Sequence, residues 1–116
     1  MRRSQREVAF EVHRGRLVRQ VRLRDGRGYT QHCTLDVLQQ VALLVEARGE
    51  AGITTNELWD LLPDLPCTQL AIALAFLKEH GGVETTGRRT YAASATLYED
   101  AMTEYYYLAH VASEGA

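Results

Sequence analysis

Residues 53–82 read ITTNELWDLLPDLPCTQLAIALAFLKEHGG, and this stretch decides the fold that the sequence predicts. Thr54 and Glu57 have the spacing of a capping box, which satisfies free backbone amides at the start of a helix. Pro63 ends that helix after about two turns, because proline cannot continue the hydrogen-bond ladder. A short connection then leads into a longer helix over about residues 67–80. A short helix, a tight turn and a second helix form the helix-turn-helix arrangement.

Helices are also predicted on both sides of this stretch. Thr34 can cap a helix over about residues 35–48, where apolar side chains recur at helical spacing. Thr96-x-x-Glu99 is a second capping box, and it predicts a last helix over about residues 96–112. The helical part of the chain is therefore expected to begin at about residue 34.

The remaining segments favour strands. Within residues 7–30, apolar and polar residues alternate from Val8 to Val12, and Asp25-Gly26 is a strong hairpin-turn signal. We expect this segment to form an arginine-rich β-hairpin or meander. Two further β-prone stretches surround Gly87 and predict a second hairpin. The sequence thus predicts an α+β fold in a single domain over residues 1–116.

A longer pattern joins the helix over residues 67–80 to the second hairpin. It consists of Leu70-x-x-Ala73-Leu74-x-x-Leu77-x-x-x-Gly81-Gly82-Val83, followed by Gly87-Arg88-Arg89-x-Tyr91. Over roughly residues 34–93, the chain resembles the winged helix-turn-helix superfamily of bacterial transcriptional regulators. The resemblance implies DNA binding, with residues 67–80 as the recognition helix and the second hairpin as the wing.

The resemblance also implies a set of contact residues. Thr68 and Gln69 would face base edges, where a glutamine can bond adenine through two hydrogen bonds. Arg88 and Arg89 would hold phosphates, which contributes affinity and salt sensitivity. Lys78, which brings positive charge to the helix, is also predicted to bind DNA.

Charge is segregated along the chain. The formal net charge is −2, yet residues 1–30 carry nine arginines against three acidic residues, a local charge of +6. Such a concentration of positive charge attracts phosphates, so we expect Arg14, Arg16 and Arg22 to contribute to DNA binding. The alternative is that these arginines pair with an acidic surface of this chain or of a partner.

A second hypothesis comes from the predicted recognition helix. Leu70–Leu77 is an unbroken apolar run, and helices that are apolar on every face tend to be buried. This favours a winged-helix module for protein–protein interaction or dimerisation, without sequence-specific DNA reading. The last helix carries residues suited to a dimer interface, where an aromatic body can be buried while its hydroxyl stays bonded: Tyr98, Met102, Tyr105 and Tyr106.

Other functional classes find little support. The sequence contains no Walker loop, no Gly-x-Ser-x-Gly elbow and no dinucleotide fingerprint, so no enzyme and no cofactor is predicted. His32-Cys33, Cys67 and His80 lack the paired spacing of zinc ligands, so no metal site is predicted. Two cysteines fit a reducing cytosol, and neither a secretory signal nor a membrane-spanning apolar run is found. We expect a cytoplasmic homodimer that binds double-stranded DNA.

Overall fold

The computed structural model describes residues 7–115 of the chain. Over this range the chain forms four α-helices and two small antiparallel sheets. This confirms the predicted α+β class.

Three strands, which we call the meander (residues 7–34), precede the helices: β1 (Glu7–His13), β2 (Arg16–Arg22) and β3 (Gly28–Thr34), adjacent in that order. The two-residue turn Arg14-Gly15 joins β1 to β2, and both of its residues have positive φ. The turn between β2 and β3 contains Gly26 with φ of 90°, at the predicted Asp25-Gly26 position. β3 is longer than the sequence predicts. It continues to Thr34 because it pairs with β2 along its whole length.

The central region alternates helices with one short strand: α1 (Leu35–Arg48), a 3-10 turn (Gly49–Ala51), β4 (Ile53–Thr54), α2 (Thr55–Leu61) and α3 (Cys67–Glu79). The first two predicted caps are confirmed. The Thr34 hydroxyl accepts a hydrogen bond from the Val37 amide at 3.3 Å. The Thr54 hydroxyl accepts from the Glu57 amide at 3.1 Å, and the Glu57 carboxylate accepts from the Thr54 amide at 2.9 Å. Both amides are therefore satisfied, as a capping box requires.

The second hairpin consists of β5 (Val83–Thr86) and β6 (Arg89–Ala92). The strand order of its sheet is β4-β6-β5, so the short strand before α2 pairs with β6, the second strand of the hairpin that follows α3. This pairing holds the hairpin beside the start of α2. The Tyr91 ring lies against Gly52, where an added Cβ would be only 2.6 Å from the ring. Glycine is needed there for space as well as for its positive φ.

The last helix, α4 (Leu97–Gly115), packs against α1 and β1. The Tyr98 amide donates to the Glu46 carboxylate of α1 at 2.9 Å. The Tyr105 hydroxyl donates to the Gly15 carbonyl in the β1–β2 turn at 2.8 Å. α4 thus joins the meander to the helical region.

The meander explains the apolar character of α3. The Phe10 ring of β1 meets the Phe76 ring of α3 edge-on, with centroids 5.4 Å apart. On another flank of α3, Leu70 and Leu77 are buried in the core, which includes apolar residues of α1. Two flanks of α3 are therefore covered. Successive helix residues are 100° apart, and on this basis the exposed residues of α3 span about a third of its circumference.

Candidate nucleic-acid interface

The exposed side of α3 is a narrow strip that we call the α3 stripe: Thr68, Ala71, Ala75 and Lys78. These residues recur at intervals that place them on one face of the helix, and all are exposed except the half-buried Ala75. At 1.5 Å per residue, the stripe is about 15 Å long. Its middle carries only methyl groups, so a partner can approach the helix backbone closely.

At its C-terminal end, the α3 stripe meets a polar cleft of about 360 Å³. Lys78 and Arg88 supply the positive charge, and the other lining residues are Thr55, Asn56, Thr85, Gly87 and Thr90. The structure therefore brings together two of the predicted DNA-binding residues, one from α3 and one from the β5–β6 turn. Sequence reasoning missed Thr55 and Asn56; the signal was their position directly after Thr54, the capping residue of α2.

At its N-terminal end, α3 contacts the end of the meander through Gln69. The Gln69 side-chain oxygen accepts a hydrogen bond from the Thr34 amide at 3.0 Å. Thr34 in turn pairs with Arg16 across β2 and β3, and Arg16 and the adjoining Arg14 are exposed. Gln69 holds α3 against the meander, so its oxygen is not free for adenine. Thr68 remains exposed.

Arg89 is occupied within the chain. Its guanidinium lies 3.2 Å from the Glu57 carboxylate and donates to the Ala51 carbonyl at 3.3 Å. Arg48 approaches the same carboxylate at 3.4 Å. The Thr54 amide that donates to this carboxylate lowers the pKa of Glu57, and both arginines lower it further. The predicted phosphate contact at Arg89 thus serves first to join β6 to the start of α2.

Two charged residues count against a continuous positive surface at α3. Arg22 ends β2 opposite Glu7, about 20 Å along the strand from Arg16 at 3.3 Å per residue. The structure therefore does not bring Arg22 to the α3 stripe. Glu79 is exposed directly after Lys78, and its carboxylate opposes a phosphate at that end of the stripe.

The predicted dimer residues divide into two groups. Met102 and Tyr105 are buried within the chain, and Tyr98 is half-buried with its hydroxyl bonded to Gln39 of α1 at 3.3 Å. Only Tyr106 of the four is exposed, together with its neighbour Tyr107. Tyr98 and Tyr105 thus pack within the chain, because α4 covers both α1 and β1.

Both cysteines are free thiols. Cys33 lies in the core, where burial raises the pKa of its thiol to about 12, and Cys67 is exposed at the start of α3. Within residues 7–115, no group of three or more histidine, cysteine or acidic side chains is placed to share a metal ion. The described helices include none with the length and apolarity needed to cross a bilayer.

No protein-family model, curated protein or solved structure matches this chain. The function is therefore inferred from the geometry of the α3 stripe and of the cleft at its C-terminal end.

Proposed function

We propose that the protein binds double-stranded DNA with the α3 stripe in the major groove and with Lys78 and Arg88 on the phosphates. The order β4-α2-α3-β5-β6 and the sheet order β4-β6-β5 support a winged helix-turn-helix in which the β5–β6 hairpin is the wing. In this arrangement α3 is the recognition helix.

The observation that carries the proposal is that the exposed α3 stripe ends at a positively charged cleft. Lys78 and Arg88 line this cleft, where the α3 stripe meets the β5–β6 hairpin. The stripe is about 15 Å long, and the major groove, about 12 Å wide, admits an α-helix. Lys78 and Arg88 would then hold phosphates beside the groove. Arg14 and Arg16 lie on the outward face of the meander and are not part of this surface.

The composition of the α3 stripe indicates how bases are read. The methyl groups of Ala71 and Ala75 can contact thymine methyls, and the exposed hydroxyl of Thr68 can donate or accept a hydrogen bond. Such a surface discriminates bases weakly on its own. A dimer that places two such helices on successive half-sites gains affinity through its two-fold symmetry, as in transcriptional regulators of this class.

A titration of labelled duplex DNA at several salt concentrations tests the proposal. Replacing both Lys78 and Arg88 with alanine removes two phosphate contacts, so binding weakens and the slope of log affinity against log salt becomes shallower by about 2. The matched control is R24A with R27A, an equal loss of charge on the exposed β2–β3 turn. Equal losses in both double variants, or no binding at low salt, would contradict the proposal.

The second candidate function is a protein-interaction module. Its support is the exposed aromatic surface of α4, where Tyr106 and Tyr107 are 56% and 60% accessible, and the internal use of Gln69 and Arg89. Under this function the wild-type protein self-associates or captures a protein partner, yet has no salt-dependent affinity for duplex DNA. The same DNA titration, combined with sedimentation of the protein alone, separates the two functions.

A further inference from the structure

The outward face of the meander carries a second positively charged pocket, separate from the cleft at Lys78. Its volume is about 390 Å³, and its lining consists of His13, Arg14, Arg16, Val18 and His32. His13 lies directly opposite Arg16, and Val18 lies directly opposite His32. Because alternate residues of a strand share a face, Arg16 and Val18 project to the same side. The result is two guanidiniums and two imidazoles around the buried Val18.

The backbone at Arg14 is the second observation. Arg14 has φ of 53° and Gly15 has φ of 77° in the two-residue turn between β1 and β2. A two-residue turn with positive φ at both positions favours Asn-Gly, and arginine is a poor choice at its first position. Unfavourable backbone conformations of this kind persist only where the surrounding structure holds them, and they cluster at functional sites. The Tyr105 hydroxyl of α4 holds this turn in place by donating to the Gly15 carbonyl at 2.8 Å.

Negative charge near the pocket is limited. Glu11 lies opposite Val18 on the same face of the sheet, and its exposed carboxylate opposes an anion there. Asp36, in the first turn of α1, accepts a hydrogen bond from the Gln40 amide group at 2.8 Å. The pocket itself supplies two guanidinium groups and the N–H donors of both histidines.

We infer that this pocket binds a phosphate group. Guanidinium forks bond phosphate oxygens in pairs, and imidazole N–H groups add further donors. The phosphate can belong to the backbone of a nucleic acid or to a free phosphate compound, since both present the same oxygens. The inference goes beyond the proposed function, because the pocket is complete without the α3 stripe or the β5–β6 hairpin.

An NMR titration of the full chain with inorganic phosphate, at constant pH and ionic strength, tests the inference. We expect saturable shifts confined to the side-chain signals of His13, Arg14, Arg16 and His32. R14N and R16Q should each weaken phosphate binding about fivefold or more, as expected when a charge-assisted donor is lost. R14N is the sharper variant, because asparagine suits positive φ and preserves the fold. R24N, the same change at an exposed position of the β2–β3 turn, is the control and should bind phosphate like the wild type.

Two further measurements keep this inference separate from the proposed function. The K78A/R88A variant should retain phosphate binding in full, whether or not it has lost DNA. Adding duplex DNA to the phosphate-loaded protein identifies the natural source of the phosphate. Displacement of inorganic phosphate by DNA assigns the pocket to a nucleic-acid backbone, and retention of inorganic phosphate assigns it to a free phosphate compound. Both results support the pocket. Shifts that do not saturate, or equal weakening in R24N and R14N, would overturn the inference.

Discussion

Glu57 shows how much one residue can determine in a chain of this size. Its carboxylate completes the capping box of α2 and also meets Arg48 and Arg89, which come from α1 and β6. One side chain therefore connects three elements around the start of α2. Because β6 is held through Arg89, Glu57 also helps to fix the position of the β5–β6 hairpin.

The lowered pKa of Glu57 predicts how stability depends on pH. The pKa is below its ordinary value of 4.5 in the folded chain, so the folded state binds fewer protons there than the unfolded state does. Its contribution to stability is full above pH 4.5 and is lost as the pH falls through the lower folded-state pKa. E57Q keeps a capping oxygen but loses the charge, so it should be less stable than the wild type at pH 7 and converge with it in acid. Urea unfolding from pH 7 to 3 measures this.

The matched control for E57Q is E50Q, which removes a carboxylate from an exposed position of the 3-10 turn. It should differ little from the wild type at any pH, as expected for surface substitutions. A stability difference between E57Q and the wild type that stays constant across the range would refute the assigned role of the charge.

Glycine is needed at Gly52 and at Gly87 for different reasons. Both have positive φ, of 67° and 61°, but only Gly52 has a neighbour, the Tyr91 ring, in the space a Cβ would occupy. G87A should cost about 1 kcal/mol from backbone conformation alone. G52A adds a steric conflict and should cost about 3 kcal/mol in total. Thermal and urea unfolding give both values, and equal costs would show that Tyr91 moves away freely.

At the scale of elements, local signals predict the structure well. The start of α1 at Leu35 and of α2 at Thr55 follow from Thr34 and Thr54, because a capping residue acts on amides within its own turn. Pro63 and the Gly81-Gly82 pair likewise bound α2 and α3. These signals involve residues three or four apart, so they can be read from the sequence without knowing the fold.

The contacts between elements could not be predicted in the same way. Gln69 bonds Thr34, which is 35 positions away, and Arg89 bonds Glu57, which is 32 positions away. Both were expected to contact DNA, because their residue types and positions match that role. Which polar side chains are used inside the chain depends on how the meander and the hairpin pack, and no spacing rule specifies that packing.

The α3 stripe carries its own prediction. Glu79 places a carboxylate beside Lys78 on the exposed arc of α3, and a like charge near a phosphate costs binding energy. E79Q should therefore raise the affinity for duplex DNA about threefold at low salt, with the gain shrinking as salt screens the charge. E99Q, an equal change on the exposed surface of α4, is the control. An unchanged affinity in E79Q would place the DNA away from this end of the stripe.

At the scale of the whole molecule, the meander does two things at once. It buries the flank of α3 that contains Phe76, and its outward face carries Arg14 and Arg16. The run of apolar residues that argued against DNA reading is thus explained by a covering sheet. The exposed arc that remains is narrow and includes Lys78, so burial of most of α3 is compatible with the proposed DNA binding.

The predicted dimer through α4 is tested at the scale of the whole molecule. Because Met102 and Tyr105 are buried within the chain, a dimer through α4 must use its exposed residues, above all Tyr106 and Tyr107. Replacing both tyrosines with glutamate should weaken self-association at least tenfold, since two aromatic contacts would be exchanged for like charges across a two-fold axis. The fold should survive with a loss of about 1 kcal/mol, because Tyr106 stacks on Tyr105 with ring centroids 5.0 Å apart.

Sedimentation velocity over a range of concentrations measures that change, with urea unfolding as the check on stability. The matched control is L43E with L61E, which introduces the same charges at exposed apolar positions of α1 and α2. If the tyrosine variant is monomeric while the leucine variant associates like the wild type, α4 is the dimer surface. Equal association in all three proteins would exclude α4, and each α3 stripe would then have to bind DNA without a symmetric partner.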